Sequence, residues 1–167
     1  MGNLELPRPS EDPEKVRAKY RIVEHAPVVT IDDVEMVLGI PKDVMVKTVL
    51  FHGGDDKYIL TAVRGTDTVD TKRLARAVNI PRRQLKLVAS DEVKAITGLP
   101  FGSLRPFGFD DRFTVVIDNA VIYTGTVFCS AGKPTETMII PSQDLLALSG
   151  GKQAAIRVRE PSKKREE

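Results

Sequence analysis

A single cysteine, Cys129, stands among the 167 residues, and only two histidines, His25 and His52, accompany it. One thiol excludes an internal disulfide, and no Cys/His spacing has the pattern of a metal site; both are habits of a protein working in the reducing cytoplasm. Two histidines leave few ways to build a nucleophilic triad, and no Gly-x-Ser-x-Gly elbow is present to expose a serine. Both histidines sit beside turns and read as surface residues. Walker and dinucleotide fingerprints are missing too, because no glycine-rich run follows a strand and opens an amphipathic helix. No apolar stretch approaches the roughly eighteen residues of a membrane span, and the N-terminus mixes prolines with charges where a signal peptide would be apolar. An excess of either charge is also lacking: 25 cations oppose 23 acids, leaving +2. Contact with a nucleic acid would therefore have to come from a local patch.

What is present, at 41% hydrophobic content, suffices for one domain with a sizeable core. Residues 1–10, with Pro7 and Pro9, read as a flexible lead-in, residues 11–150 as the folded domain, and residues 151–167 as a flexible charged tail. Asp12-Pro13 opens a short helix to Tyr20. Thr30 caps a second helix that Gly39 ends, with Asp32 and Asp33 in its positive first turn. Residues 44–51 are β-branched at period two, and after the turn signal of Gly53, Gly54, Asp55 and Asp56 residues 58–63 complete a hairpin. A helix capped by Asp70 turns Leu74, Ala77 and Val78 inward and Lys72, Arg73 and Arg76 outward. Residues 85–89 form a short strand, and Ser90 caps a helix that Gly98 ends. Residues 113–117, 121–129 and 136–140 then read as an antiparallel meander, and Ser142 as the cap of a last helix. No internal repeat is found, and hairpins mixed with isolated helices give an α+β class around one mostly antiparallel sheet.

Three features carry chemistry. Lys47 lies on a mostly apolar strand, where an unpaired ammonium is costly; either it snorkels at the strand end or it points into a polar cavity. The stretch from Thr97 to Phe109 holds Gly98, Gly102, Gly108, Pro100 and Pro106 between apolar residues, so it propagates neither helix nor central strand. That loop either covers the core edge or presents N–H groups from Gly102 to Pro106 as an oxyanion site. The third feature is the hairpin tip Ser130-Ala131-Gly132. Beside it, Cys129 next to Phe128 reads as a packing residue. Lys72, Arg73 and Arg76 form the clearest basic face, either a solvated helix surface or a grip on phosphates.

In order and spacing these residues resemble the YbaK/prolyl-tRNA synthetase-associated editing domains. The resemblance rests on Lys47-Thr48, on Gly102 to Pro106 as Gly-x-x-x-Pro within Thr-Gly-x-x-x-Gly-x-x-x-Pro-Phe-Gly, on Ile117-Asp118, on Ser130-Ala131-Gly132, and on Ile140-Pro141-Ser142-Gln143-Asp144-Leu145. It spans residues 20–148. It implies a compact α+β domain with a curved, mostly antiparallel sheet, acting on aminoacyl-tRNA as a deacylase of mischarged tRNA. Lys47 would engage the terminal adenosine and its phosphate, with Gly102 and Pro106 framing the loop that positions the aminoacyl carbonyl. Phe101, Ser103, Leu104, Arg105, Ser130, Ala131 and Gly132 would line the substrate site. No metal, cofactor or covalent nucleophile is implied: a water attacks the ester, helped by the substrate's own hydroxyl and by backbone groups. Several branches of the family carry a histidine near the strand that ends here in Val127-Phe128-Cys129-Ser130, and this chain has none. Cysteine, alanine and serine on tRNA for proline therefore all stay open as substrates, and an aminoacyl-tRNA synthetase stays open as a partner. The competing class is a non-catalytic module that binds a nucleotide or a tRNA end on the same scaffold.

Overall fold

The computed structural model describes Pro7 and residues 12–159. Of the lead-in, Pro7 alone is described, and it is buried.

Asp12 accepts a hydrogen bond from the Glu14 N–H and starts α1 (Pro13–Lys19), whose Val16 is fully buried. Next comes β1 (Arg21–Glu24), which the sequence reading missed. A complete capping box sets α2 (Ile31–Leu38): the Asp33 N–H donates to Thr30 Oγ1, and the Asp33 carboxylate takes the Val29 and Thr30 N–H groups. Those bonds hold the Asp33 carboxyl below its ordinary pKa. Gly39 ends α2 in the left-handed conformation, and no α2 residue is buried.

The expected hairpin is β2 (Val46–Gly54) paired with β3 (Lys57–Arg64). Asp70 caps α3 (Thr71–Val78) through the Lys72 and Arg73 N–H groups. A 3-10 turn (Arg82–Gln84) leads to β4 (Lys86–Leu87). A second turn (Ser90–Glu92) then enters α4 (Val93–Thr97) with no side-chain cap from Ser90.

The meander expected after Phe113 is corrected. Residues 113–118 form β5 (Phe113–Asp118), but residues 119–124 are helical, α5 (Asn119–Thr124). The β-branched residues there follow local propensity toward strand, but Asp118 caps the segment through the Ala120 N–H at 2.8 Å and tertiary packing decides. The remaining elements are β6 (Thr126–Ser130), β7 (Glu136–Pro141), α6 (Ser142–Ser149) and β8 (Lys152–Ala154). Ser142 is the first residue of α6, not its cap, and its hydroxyl donates to Ile122 O at 2.7 Å.

Two sheets replace the single one expected. The first is β1-β7-β6, all antiparallel; the second is β4-β2-β3-β5-β8, antiparallel at β4, β2 and β3 and parallel at β5 and β8. Among the described residues one parallel bridge, Met45 to Phe128, joins them. One core fills the space between them, with Leu50, Leu60 and Ile117 from the larger sheet against Val127, Met138 and Ile140 from the smaller. The other face of the larger sheet packs Phe51, Ile59, Val63 and Val116 under Leu74 and Ala75 of α3 and under Ile156. The domain remains a single α+β unit.

The tail is corrected as well. Residues 152–154 are a strand, Ile156 is fully buried, and the Val158 N–H bonds Thr68 O at 2.8 Å. The buried Asp118 carboxylate holds this segment by accepting from the Ile156 and Arg157 N–H groups at 2.8 and 3.0 Å. The rest of the expected tail, residues 160–167, lies outside the described residues.

Candidate active site

The candidate site exists because β2 runs out of neighbours. Between the Met45 bridge and the β4 pairing at Phe51, one edge of β2 has no strand beside it. The Met45 carbonyl accepts from the Gly65 N–H at 2.9 Å, toward β3, while the Leu50 carbonyl accepts from Val88 at 3.1 Å on the opposite side. Hydrogen-bonding direction alternates along a strand, so Thr48 turns its N–H and C=O to the same open side as Leu50. The Thr48 hydroxyl is buried and has no hydrogen-bond partner.

Around this edge lies a cavity of about 740 Å³. Its walls are residues 46–50, the N-terminal part of α2 with Ile31 and Val34, residues 87–90, the loop residues Phe101, Gly102 and Leu104, and residues 128–130 with Glu136 and Thr137. Lys47 shares that wall. Alternation puts it on the face of Val49 and Phe51, in register with Val63, where it is half-buried. It forms no ion pair or hydrogen bond among the described residues, and burial pulls its pKa below 10.5 against the opposing field of Asp67.

The glycine-proline loop is anchored from both sides. Gly102 has φ +92, and a Cβ there would lie 2.5 Å from Val29 O, so only glycine lets the loop approach the chain ahead of α2. Ser103 is almost fully buried; its N–H closes a turn onto Pro100 O at 2.9 Å and its carbonyl accepts from Ser130 Oγ at 2.9 Å. Ser130 Oγ also accepts from the Gly132 N–H at 2.9 Å, so one hydroxyl ties the loop to the hairpin tip. The expected arc of donors is thus incomplete at Ser103, whose N–H is already used. The N–H groups of Gly102, Leu104 and Arg105 have no hydrogen-bond partner among the described residues.

Other expected positions fall behind the wall. Arg105 does not line the cavity; its guanidinium lies 5.2 Å from the Phe107 ring centre and 5.6 Å from that of Phe109, with Nη1 buried and unpartnered. Burial lowers its pKa. Ser103, Pro106, Ala131 and Gly132 likewise do not line the cavity. Lys72, Arg73 and Arg76 lie on α3, away from the lining. Cys129 does line the cavity, but it is buried and its thiol is pushed up to about 12 by burial, so it stays protonated at neutral pH. Both histidines, read as surface residues, are half-buried and partnered: His25 Nε2 lies 2.8 Å from Thr137 Oγ1, and His52 Nε2 3.7 Å from Glu92 Oε1.

Sequence reading overlooked Glu136, a cavity-lining carboxylate 8% exposed whose Oε1 meets Arg17 Nη2 at 2.6 Å. The available signal was an acid opening a mostly apolar strand run. It also overlooked the α2 wall, although the Thr30 capping signature had located the helix itself.

The profile of the aminoacyl-tRNA editing domain matches residues 25–148, about three quarters of the chain. The chain belongs to that family. Among curated relatives, the proline–tRNA ligase of Trichlorobacter lovleyi is 29% identical over 92 residues, 55% of this chain, and that of Thiobacillus denitrificans 30% identical over 115 residues, 68% of this chain. This editing domain spans only 16% and 19% of those ligases. An Enterococcus faecalis protein whose name proposes a Cys-tRNA(Pro)/Cys-tRNA(Cys) deacylase, EbsC, is 24% identical over 123 residues, 74% of each chain. A solved structure described as a proposed trans-editing enzyme for prolyl tRNA synthetase superimposes with TM-score 0.75 at 22% identity, covering 88% of this chain and 97% of the other. That likeness establishes the α+β fold. Among the described residues no helix is long and apolar enough to cross a membrane.

Proposed function

We propose that this editing domain hydrolyses the ester of tRNA mischarged with a small amino acid such as cysteine, alanine or serine, on tRNA for proline. The observation that carries the reading is one cavity lined by Lys47, which is half-buried with no ion pair or hydrogen bond among the described residues, and by the Gly102 loop, whose N–H groups at Gly102, Leu104 and Arg105 have no partner among them. A cation with no ion-pair partner among the described residues suits the terminal adenosine and its phosphate, and the Gly102 side of the loop suits the aminoacyl carbonyl. Water adds to the carbonyl carbon, the oxyanion develops toward the loop N–H groups, and the C–O bond to the ribose breaks. The water's proton passes by way of the substrate's neighbouring hydroxyl to the departing ribose oxygen, so no side-chain base is required. A thiol protonated up to about pH 12 argues against Cys129 as a nucleophile.

The volume of about 740 Å³ falls within the usual range for small-ligand pockets, roughly 300–1,000 Å³. A nucleoside end with a small side chain fits such a space, and the apolar lining of Val46, Leu50, Val93 and Leu104 favours small uncharged side chains. An aminoacyl-tRNA synthetase that supplies the mischarged tRNA is the natural partner of the reaction. The test is a deacylation screen against tRNAs carrying each small amino acid. Accelerated hydrolysis of at least one of them is expected. Tight binding of all of them with no hydrolysis would favour the non-catalytic module.

A further inference from the structure

The chain's cations are unevenly placed. Between Asp70 and Leu87 stand Lys72, Arg73, Arg76, Arg82, Arg83 and Lys86 against one acid, Asp70, leaving nineteen cations against twenty-two acids elsewhere. Among the described residues only Arg73 of these six is ion-paired, with Asp70 at 3.6 Å, and Arg82 donates to Thr71 Oγ1 at 3.1 Å. Lys72, Arg76, Arg83 and Lys86 are exposed and have no side-chain partner among the described residues. Clustered like charges repel one another, so the folded domain gains nothing from crowding them.

Five of these six lie on α3 and the 3-10 turn that follows it, and Lys86 lies on β4 at the sheet edge. The Arg82 bond fixes the 3-10 turn to the start of α3, and β4 then stitches Lys86 and Leu87 beside His52 and Phe51 on β2. The next residues, Leu87, Val88, Ala89 and Ser90, are themselves a wall of the cavity. This basic ridge follows the chain from α3 through the 3-10 turn to β4, whose Leu87, 65% exposed, borders the cavity. The helix trio was legible in sequence; its continuation through Arg82, Arg83 and Lys86 was not.

We propose that this ridge is the docking track for the phosphate backbone of the tRNA acceptor stem, leading its aminoacylated end into the cavity. The inference rests on the functional reading above for the identity of the cargo. Its occupant is RNA because unpaired exposed cations in a row neutralise a row of phosphates, and because the track ends at the cavity. Phosphate contacts of this kind position the substrate and carry no sequence choice.

The test separates docking from chemistry. Binding of an uncharged tRNA for proline, and of a CCA trinucleotide, is measured across salt for the parent, for Arg82→Gln/Arg83→Gln/Lys86→Gln, and for Lys15→Gln as a control on α1, outside the ridge and the cavity lining. Hydrolysis of aminoacyl-adenosine, which is too short to reach the ridge, is measured alongside. The triple variant is expected to bind the tRNA about tenfold more weakly at low salt, with the log–log salt slope reduced by roughly two. Trinucleotide binding, aminoacyl-adenosine hydrolysis and the thermal melt should match the parent. An unchanged slope and affinity overturns the ridge and leaves the deacylase reading standing. Loss of prolyl-tRNA synthetase binding with tRNA binding intact overturns it too, making the ridge a protein dock. A parent that binds tRNA through the ridge but never hydrolyses an ester leaves the ridge standing and removes the deacylase reading.

Discussion

At the scale of residues, two side chains in the cavity make opposite predictions. Lys47 is half-buried with no ion pair or hydrogen bond among the described residues, and the field of Asp67 offsets its burial only in part, so its place on an apolar strand has a cost that function must justify. Lys47→Met should melt no lower than the parent at neutral pH. Because burial puts the folded pKa below the ordinary 10.5, the unfolded chain holds the proton more tightly. The parent's penalty is full below the folded pKa and fades as pH rises toward 10.5, so the melting advantage of Lys47→Met should shrink over that window. Thermal melts of both proteins from pH 7 to 11 check this. Cys129 is the reverse case, a neutral thiol in packing: Cys129→Ala should cost about 1 kcal/mol of stability and leave deacylation within about threefold of the parent. Iodoacetamide labelling of the native protein should be slow, for the thiol pushed up to about 12 offers almost no thiolate.

Elements show where sequence and structure part. The caps were readable because Asp12, Thr30 and Asp70 act locally on the first N–H groups of their own helices. The misreadings are long-range. Residues 121–124 carry strand-like side chains but are turned into α5 by burial of Val121 and Ile122. Residues 152–154 form a strand only because β5 is there to receive them in parallel, which no local pattern announces. The site divides in the same way. Lys47, Gly102 and Ser130 were legible in ordered motifs, while Glu136, Thr137 and the α2 wall reach the cavity by folding alone. Two tests belong here. Gly102→Ala, with φ +92 and a Cβ 2.5 Å from Val29 O, should destabilise by about 1–3 kcal/mol and lower turnover by moving the loop off the chain ahead of α2. Asp118→Ala removes the cap of α5 and the acceptor of the Ile156 and Arg157 N–H groups together; urea unfolding should show a loss of about 3 kcal/mol or more. Hydrogen exchange should show the segment after Gly151 opening first in that variant.

The whole molecule combines a larger sheet covered on both faces with a smaller one that packs on it through a shared core, and the cavity opens along the part of the β2 edge that no strand covers. Family membership fits this architecture, since the matched residues 25–148 contain all of the cavity lining. Beyond the match lie α1, which supplies Arg17 to Glu136, and β8, which closes the larger sheet. The proposal at this scale is that one preorganised cavity performs hydrolysis with a cation, backbone donors and water. Single-turnover hydrolysis of a tRNA mischarged with a small amino acid, by Lys47→Ala and Cys129→Ala side by side with melts as the folding control, tests it most directly. Lys47→Ala should stay folded and fall by a factor on the order of a hundred or more, while Cys129→Ala keeps most of its rate. A folded, inactive Cys129→Ala beside an active Lys47→Ala would contradict the account and point to a covalent intermediate on sulfur.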